Sequence, residues 1–197
     1  MDRLILLFLL VLNLSACSLG GGAVTQDHFY RLPEVVLVNR GAIYSNIVIK
    51  PVKATGLYHE RAILFIESDK PLELQRYHYS FWSTAPAELV HNALYQGLHT
   101  SGISTQTSRD LSEIRPDYII DSRVIHFERF IESHKITVEV GIEVSARNAT
   151  TGAVWIKRYH ASKIVPTDDM HASAEAFGEA LKDITQQLVD DLLASKK

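Results

Sequence analysis

Residues 135–148 read KITVEVGIEVSARN. Ile136, Val138, Val140, Ile142, Val144 and Ala146 alternate with Lys135, Thr137, Glu139, Glu143, Ser145 and Arg147. Successive side chains of a strand point to opposite faces, so this period of two predicts a long half-buried strand with one wet face. Asn148-Ala149-Thr150-Thr151-Gly152 is a turn signal, and 153–163 return as the second arm of an antiparallel hairpin. Upstream, Tyr118, Ile120 and Val124 share one alternation while Ile125 and Phe127 share the other. A period that slips by one inside a strand predicts a bulge.

The apolar face of this hairpin needs a cover, and the C-terminal segment offers one. Met170, Ala174, Phe177, Leu181, Ile184, Leu188 and Leu192 recur at steps of three and four, a single helical stripe capped by Asp168 or Asp169. Packing on the 136–146 strand is the expectation; a helix lying on a membrane is the alternative. Glu175, Glu179, Asp183, Asp190 and Asp191 on the polar face disfavour an anionic lipid surface. A first helix is expected over about 85–100, with Ser83-Thr84 as cap, Pro86 in the first turn and Gly102 as stop.

Shorter strands are expected at 29–32, stopped by Pro33, and at 35–38, 46–52, 62–67, 72–81 and 103–107, with a loop over 108–116. The pattern predicts an α+β fold: a two-layer α/β sandwich whose mixed, largely antiparallel β-sheet carries two main helices on one face.

At the other end of the chain, Leu4 to Leu12 is an unbroken apolar run. It is far shorter than the roughly 20 residues of a membrane-spanning helix and has the length of a signal-peptide core. The following Leu14-Ser15-Ala16-Cys17 resembles the lipobox of bacterial lipoproteins, although Asp2 beside Arg3 weakens the usual basic start. The resemblance implies cleavage before Cys17, with an S-diacylglyceryl group on its thiol and an N-acyl chain such as palmitate on its new amine. Ser18 after the anchor, rather than Asp, implies sorting to the outer membrane of a Gram-negative cell, facing the periplasm. The expected organisation is a signal peptide over 1–16, a lipidated cysteine and glycine-bearing tether over 17–26, and a single periplasmic domain over 27–197.

Composition narrows the function. The chain has 197 residues, is 46% hydrophobic and 22% charged, and carries a net charge of −3. That balance fits one globular domain and excludes a typical nucleic-acid binder, which is clearly basic. Cys17 is the only cysteine, so no disulfide and, once it is lipidated, no thiol nucleophile is expected.

The chain has nine histidines, none in a His-Glu-x-x-His motif. His91 and Glu88, three apart on the first helix, read as a surface pair. Gly-x-Ser-x-Gly is absent, and nothing singles out two of the many carboxylates as a hydrolytic pair. The expectation is no catalytic, cofactor or metal site.

Several weak motifs, taken in order, then resemble one family. They are Phe29-Tyr30-Arg31-Leu32, Ile47-Val48-Ile49-Lys50-Pro51-Val52 with Gly56-Leu57, Arg61 and Ile63, the Tyr77…Trp82…Pro86 passage, and Asp117-Tyr118-Ile119-Ile120 with Ile125-His126-Phe127-Glu128. Behind a lipobox, this series is similar to the auxiliary lipoproteins of ABC-type transport systems, the PqiC-like group. The resemblance implies a non-catalytic accessory of intermembrane lipid transport, anchored in the outer membrane. Its implied partners are a periplasmic MCE-domain protein and, through it, an inner-membrane ABC permease and ATPase, with room for a homo-oligomer. An envelope assembly or scaffold lipoprotein is the alternative, and an envelope hydrolase a more distant one.

Overall fold

The computed structural model describes residues 25–110 and 115–196. The signal peptide, the lipobox residues Leu14, Ser15, Ala16 and Cys17, and most of the tether lie outside the described residues. Eight strands and two long helices make up the fold: β1 (His28–Tyr30), β2 (Tyr44–Ile49), β3 (Ala62–Glu67), β4 (Gln75–Trp82), α1 (Pro86–Ser101), β5 (Ser104–Ser108), β6 (Tyr118–Glu132), β7 (Lys135–Asn148), β8 (Val154–Val165) and α2 (Met170–Ala194).

β6 is the spine of one mixed sheet. One of its edges carries β7 along its whole length, and β8 follows on β7, both antiparallel. The opposite edge is shared end to end by two strands. β2 pairs in parallel with the first part of β6, Ile47–Ile49 against Tyr118–Ile120, and β5 lies beyond it. β3 pairs in parallel with the last part, Leu64–Glu67 against Glu128–Ile131, and β4 and β1 follow. Antiparallel pairing dominates by length through β6–β7–β8.

Between β2 and β3 the edge of β6 is bridged by Lys53, whose carbonyl accepts from Val124 N at 2.8 Å. The expected bulge sits there: the β6–β7 register shifts between Val124 and His126. Ile125 is the extra residue, so Val124 and Phe127 both face the helices.

Both helices cover that face. Trp82, Phe127 and Phe177 form its aromatic centre, with ring centroids 4.6–5.5 Å apart. The stripe of α2 packs as expected: Ala174, Phe177, Leu181, Ile184, Leu188 and Leu192 are all buried, while Met170 is half-buried. Asp169 is the N-cap of α2 and accepts from Ala172 N at 2.8 Å. Its carboxyl is held below the usual carboxylate range by Thr167 and by that backbone donor. α1 opens on Pro86 at its first position and closes on Gly102, whose φ of 64° is left-handed.

Three details differ from expectation. Neither Ser83 nor Thr84 caps α1: the N-cap position is Ala85, and Thr84 Oγ1 is buried without a hydrogen bond. His91 is buried rather than a surface partner of Glu88, and its Nδ1 donates to the Lys50 carbonyl at 3.1 Å.

Finally, residues 35–38 join no strand. They form an extended strap over the helix pair. Its amides at Val35 and Leu37 donate to Gln96 Oε1 and Thr100 Oγ1, side chains one helical turn apart on α1.

Candidate functional site

The described chain enters through β1, which pairs in parallel with the end of β4 and continues into the strap. Glycines let the strap and helices close up. A Cβ on Gly178 of α2 would collide with Pro33, and one on Gly97 of α1 would lie 2.5 Å from Thr185 Cγ2 of α2. Val35 and Leu37 are buried under the strap, while Val36 and Val38 point outward and are exposed. The entry point of the chain is therefore fastened to the sheet and to both helices.

Hollows flank the strap. One lies between Leu32, Glu34, Thr84, Leu89 and Gln96. The other, about 660 Å³ and open to solvent, lies between Phe29, Leu32, Pro33, Gln96, His171 and Glu175. Phe29 is exposed, stacks on Phe81 at 5.7 Å and carries the Arg61 guanidinium over its ring.

The motif residues of the sequence turn out to hold the fold together. Asp117 Oδ2 accepts from Ser45 N at 2.6 Å and from Asn46 N at 2.9 Å, which ties the start of β2 to the start of β6. Tyr118 OH donates to Ser195 Oγ, and the neighbouring Tyr44 OH donates to the Leu192 carbonyl, closing the last turn of α2 against the sheet. Tyr77 accepts from the buried Arg129 guanidinium, which also pairs with Asp168 at 2.6 Å at the foot of α2. Of these groups, Tyr77 also lines an open hollow with Glu60, Arg76 and His78.

Among the described residues, neither long helix lies on the second face of the sheet. Across β6, β7 and β8 it presents a charged lattice. Glu143 lies between Arg123 and Arg158, 2.9 Å from each. Their guanidinium donors, Arg158 first, hold its carboxyl below the ordinary range. One step along, Gly141 lies between His126 on β6 and His160 on β8. The row beneath is Glu128, Glu139 and Ser162.

His126 Nδ1 is 2.9 Å from Glu128 Oε1, and His160 Nε2 is 2.9 Å from Glu139 Oε2. Glu128 is buried and is fixed further by the Phe127 amide and by Tyr58 OH, which donates to Oε2 at 2.9 Å. Burial first, and then the Glu128 charge, push the Tyr58 phenol far up, so it stays a donor. Glu139 also accepts from Ser162 Oγ at 2.6 Å and Thr137 Oγ1 at 3.0 Å. Ser162 and His160 thus both address Glu139 rather than each other, which is not the arrangement of an activated serine. Among the described residues no three His, Cys, Asp or Glu side chains converge as a ready metal cluster. None of the described helices is long and apolar enough to cross a membrane.

The family model for the ABC-type transport auxiliary lipoprotein component matches residues 30–189. The chain belongs to that family. The match runs from β1 through most of α2 and takes in every element between.

Solved structures repeat the fold. A Xanthomonas campestris protein, XCC0632, superposes with a TM-score of 0.71 at 19% identity, over 82% of this chain and 92% of its own. A second, described only as an uncharacterized protein, reaches 0.65 at 10% identity over 85% and 99%. At these identities the likeness concerns architecture alone. No curated protein matches the sequence.

Family membership makes this auxiliary lipoprotein an envelope component associated with ABC-type transport. The family's description is that of an auxiliary component of such transport. The motifs read in the sequence lie at the β2–β6 junction, in the Trp82 core and at the start of α1. The strap and the open sheet face are the parts that sequence reasoning missed. Their defining contacts are long-range, and the local signals are the apolar run Val35–Val38 and an isolated Gly141 in a strand.

Proposed function

We propose that the protein is a non-catalytic, outer-membrane-anchored lipoprotein that faces the periplasm and docks a periplasmic MCE-domain protein. Through that partner it serves an inner-membrane ABC permease and ATPase that move lipid or other apolar molecules between membranes. The observation that carries this reading is the family match over 30–189, which starts shortly after the lipobox Leu14-Ser15-Ala16-Cys17.

The physics suits a tethered post. Each buried methylene of an acyl chain is worth about 0.8 kcal/mol, and one chain alone binds only marginally. The three chains proposed on Cys17 make the anchor effectively permanent. A short tether then keeps the domain at high effective concentration near any partner end that reaches the membrane. Because β1 and the strap grip the sheet and both helices, load on the tether reaches the domain as a whole. Several identical posts around one partner would raise that effect further, which is the use a homo-oligomer would have.

The test is a Cys17→Ser substitution in the native host. Wild-type protein is expected in the outer-membrane fraction and to co-purify with an MCE-domain protein, and the variant to leave the membrane and lose that partner. A variant that still fractionates with the outer membrane contradicts the anchor. A wild-type protein that co-purifies instead with envelope-polymer machinery favours the scaffold reading.

A further inference from the structure

We propose that the open face of the sheet binds one divalent late first-row transition-metal ion, copper(II) being the best fit, between His126 and His160 across Gly141. The two imidazoles stand in one row of the sheet, on β6 and β8, with β7 between them. Their ring centroids are 6.3 Å apart and their planes nearly perpendicular. Two metal–nitrogen bonds of about 2 Å each, with the distance from nitrogen to ring centre added on both sides, reach that separation when the two nitrogens stand trans across the ion.

The row needs its glycine. A Cβ at position 141 would lie 3.0 Å from His126 Cδ2, in the hollow over which that ring leans.

The ring nitrogens are already sorted for the task. A carboxylate only accepts, so His126 directs Nδ1–H to Glu128 and His160 directs Nε2–H to Glu139. The remaining nitrogens, Nε2 of His126 and Nδ1 of His160, have no hydrogen-bond partner among the described residues and are the pair open to a ligand. A ligand histidine held through its other nitrogen by a carboxylate is the usual arrangement at metal sites, because the carboxylate fixes the tautomer and raises ligand basicity. Both side chains are about half exposed, which leaves an entry path. Two imidazoles are too few for a closed structural site, so water completes the shell. Imidazole ligation and the affinity order of divalent ions favour copper(II). Bound there, the ion would clamp β6 to β8 on the side of the sheet that no helix braces.

Copper(II) is titrated into the untagged full chain carrying Cys17→Ser, so that its one thiol does not compete. Binding is followed by calorimetry, and paramagnetic resonance reads the coordinated nitrogens. One ion per chain with two imidazole nitrogens is expected. His160→Gln should abolish stoichiometric binding, as should Gly141→Ala, while Glu139→Gln should weaken it about 10–100-fold. His134→Gln, on the β6–β7 turn, should leave it unchanged. The exposed His160 can be replaced without disturbing the core, so its variant decides the matter even if a change at His126 impairs folding. No binding by the starting protein overturns the proposal, and so does undiminished binding by His160→Gln. Either result leaves the docking role untouched.

Discussion

At the scale of single residues, His91 shows what burial does to a titratable group. His91 sits at a helical position facing Glu88, and spacing alone made it a surface group. In the fold its neighbours come from β2, where the Lys50 carbonyl takes its Nδ1 proton, and it is buried. Burial first, and then the nearby Arg109 charge, lower its pKa from the ordinary 6.5. The folded state therefore binds fewer protons than the unfolded one as pH falls through that value. Stability is complete above pH 6.5 and declines below it until the folded group itself titrates. Melting curves on either side of that value should show a drop in wild-type Tm that is smaller in His91→Gln. An equal drop in both would remove His91 from the account. His126 and His160 were illegible for a similar reason: 34 residues separate them (160 − 126), and only the register of three strands sets them in one row.

At the scale of elements, strands and helices with unbroken periods were read almost to the residue. The 136–146 alternation became β7, the slip after Val124 became the bulge, and the α2 stripe found the sheet. α2 is also gripped from β8: Lys157 and Tyr159 both donate to Asp191, at 2.7 and 2.6 Å, and Lys163 pairs with Asp183. Burial alone would raise the Asp191 carboxyl, but its two donors outweigh it and hold it below the usual range.

The strap was misread because Val35 to Val38 is a short apolar run rich in β-branched residues, the composition of a strand. Its hydrogen-bond partners are side chains of α1, which no local pattern announces. Its seat gives a direct test. Gly178→Ala drives a methyl into Pro33 and should cost about 1–3 kcal/mol of overpacking strain, read as a lower urea midpoint. An unchanged midpoint would mean that the strap does not rest on α2.

At the scale of the whole molecule, the layered α+β architecture and the family were both legible. The layers follow from which faces are apolar, and the family follows from residues that build the frame. The sharing of one β6 edge by β2 and β3 was not legible, since it depends on a loop, 50–61, that bridges the gap through Lys53 and Tyr58. The frame holds Asp117, Tyr118, Tyr77 and Arg129 in structural bonds and leaves a strap-fastened start of the described chain, which is the form expected of a docking post. The central claim is that this post is moored through Cys17. The most direct measurement is the intact mass of the native protein extracted from membranes. The account predicts a chain of 181 residues, the 197 less the 16 of the leader, beginning at Cys17 and heavier by its acyl groups. A water-soluble chain with its leader in place and a free thiol would contradict it.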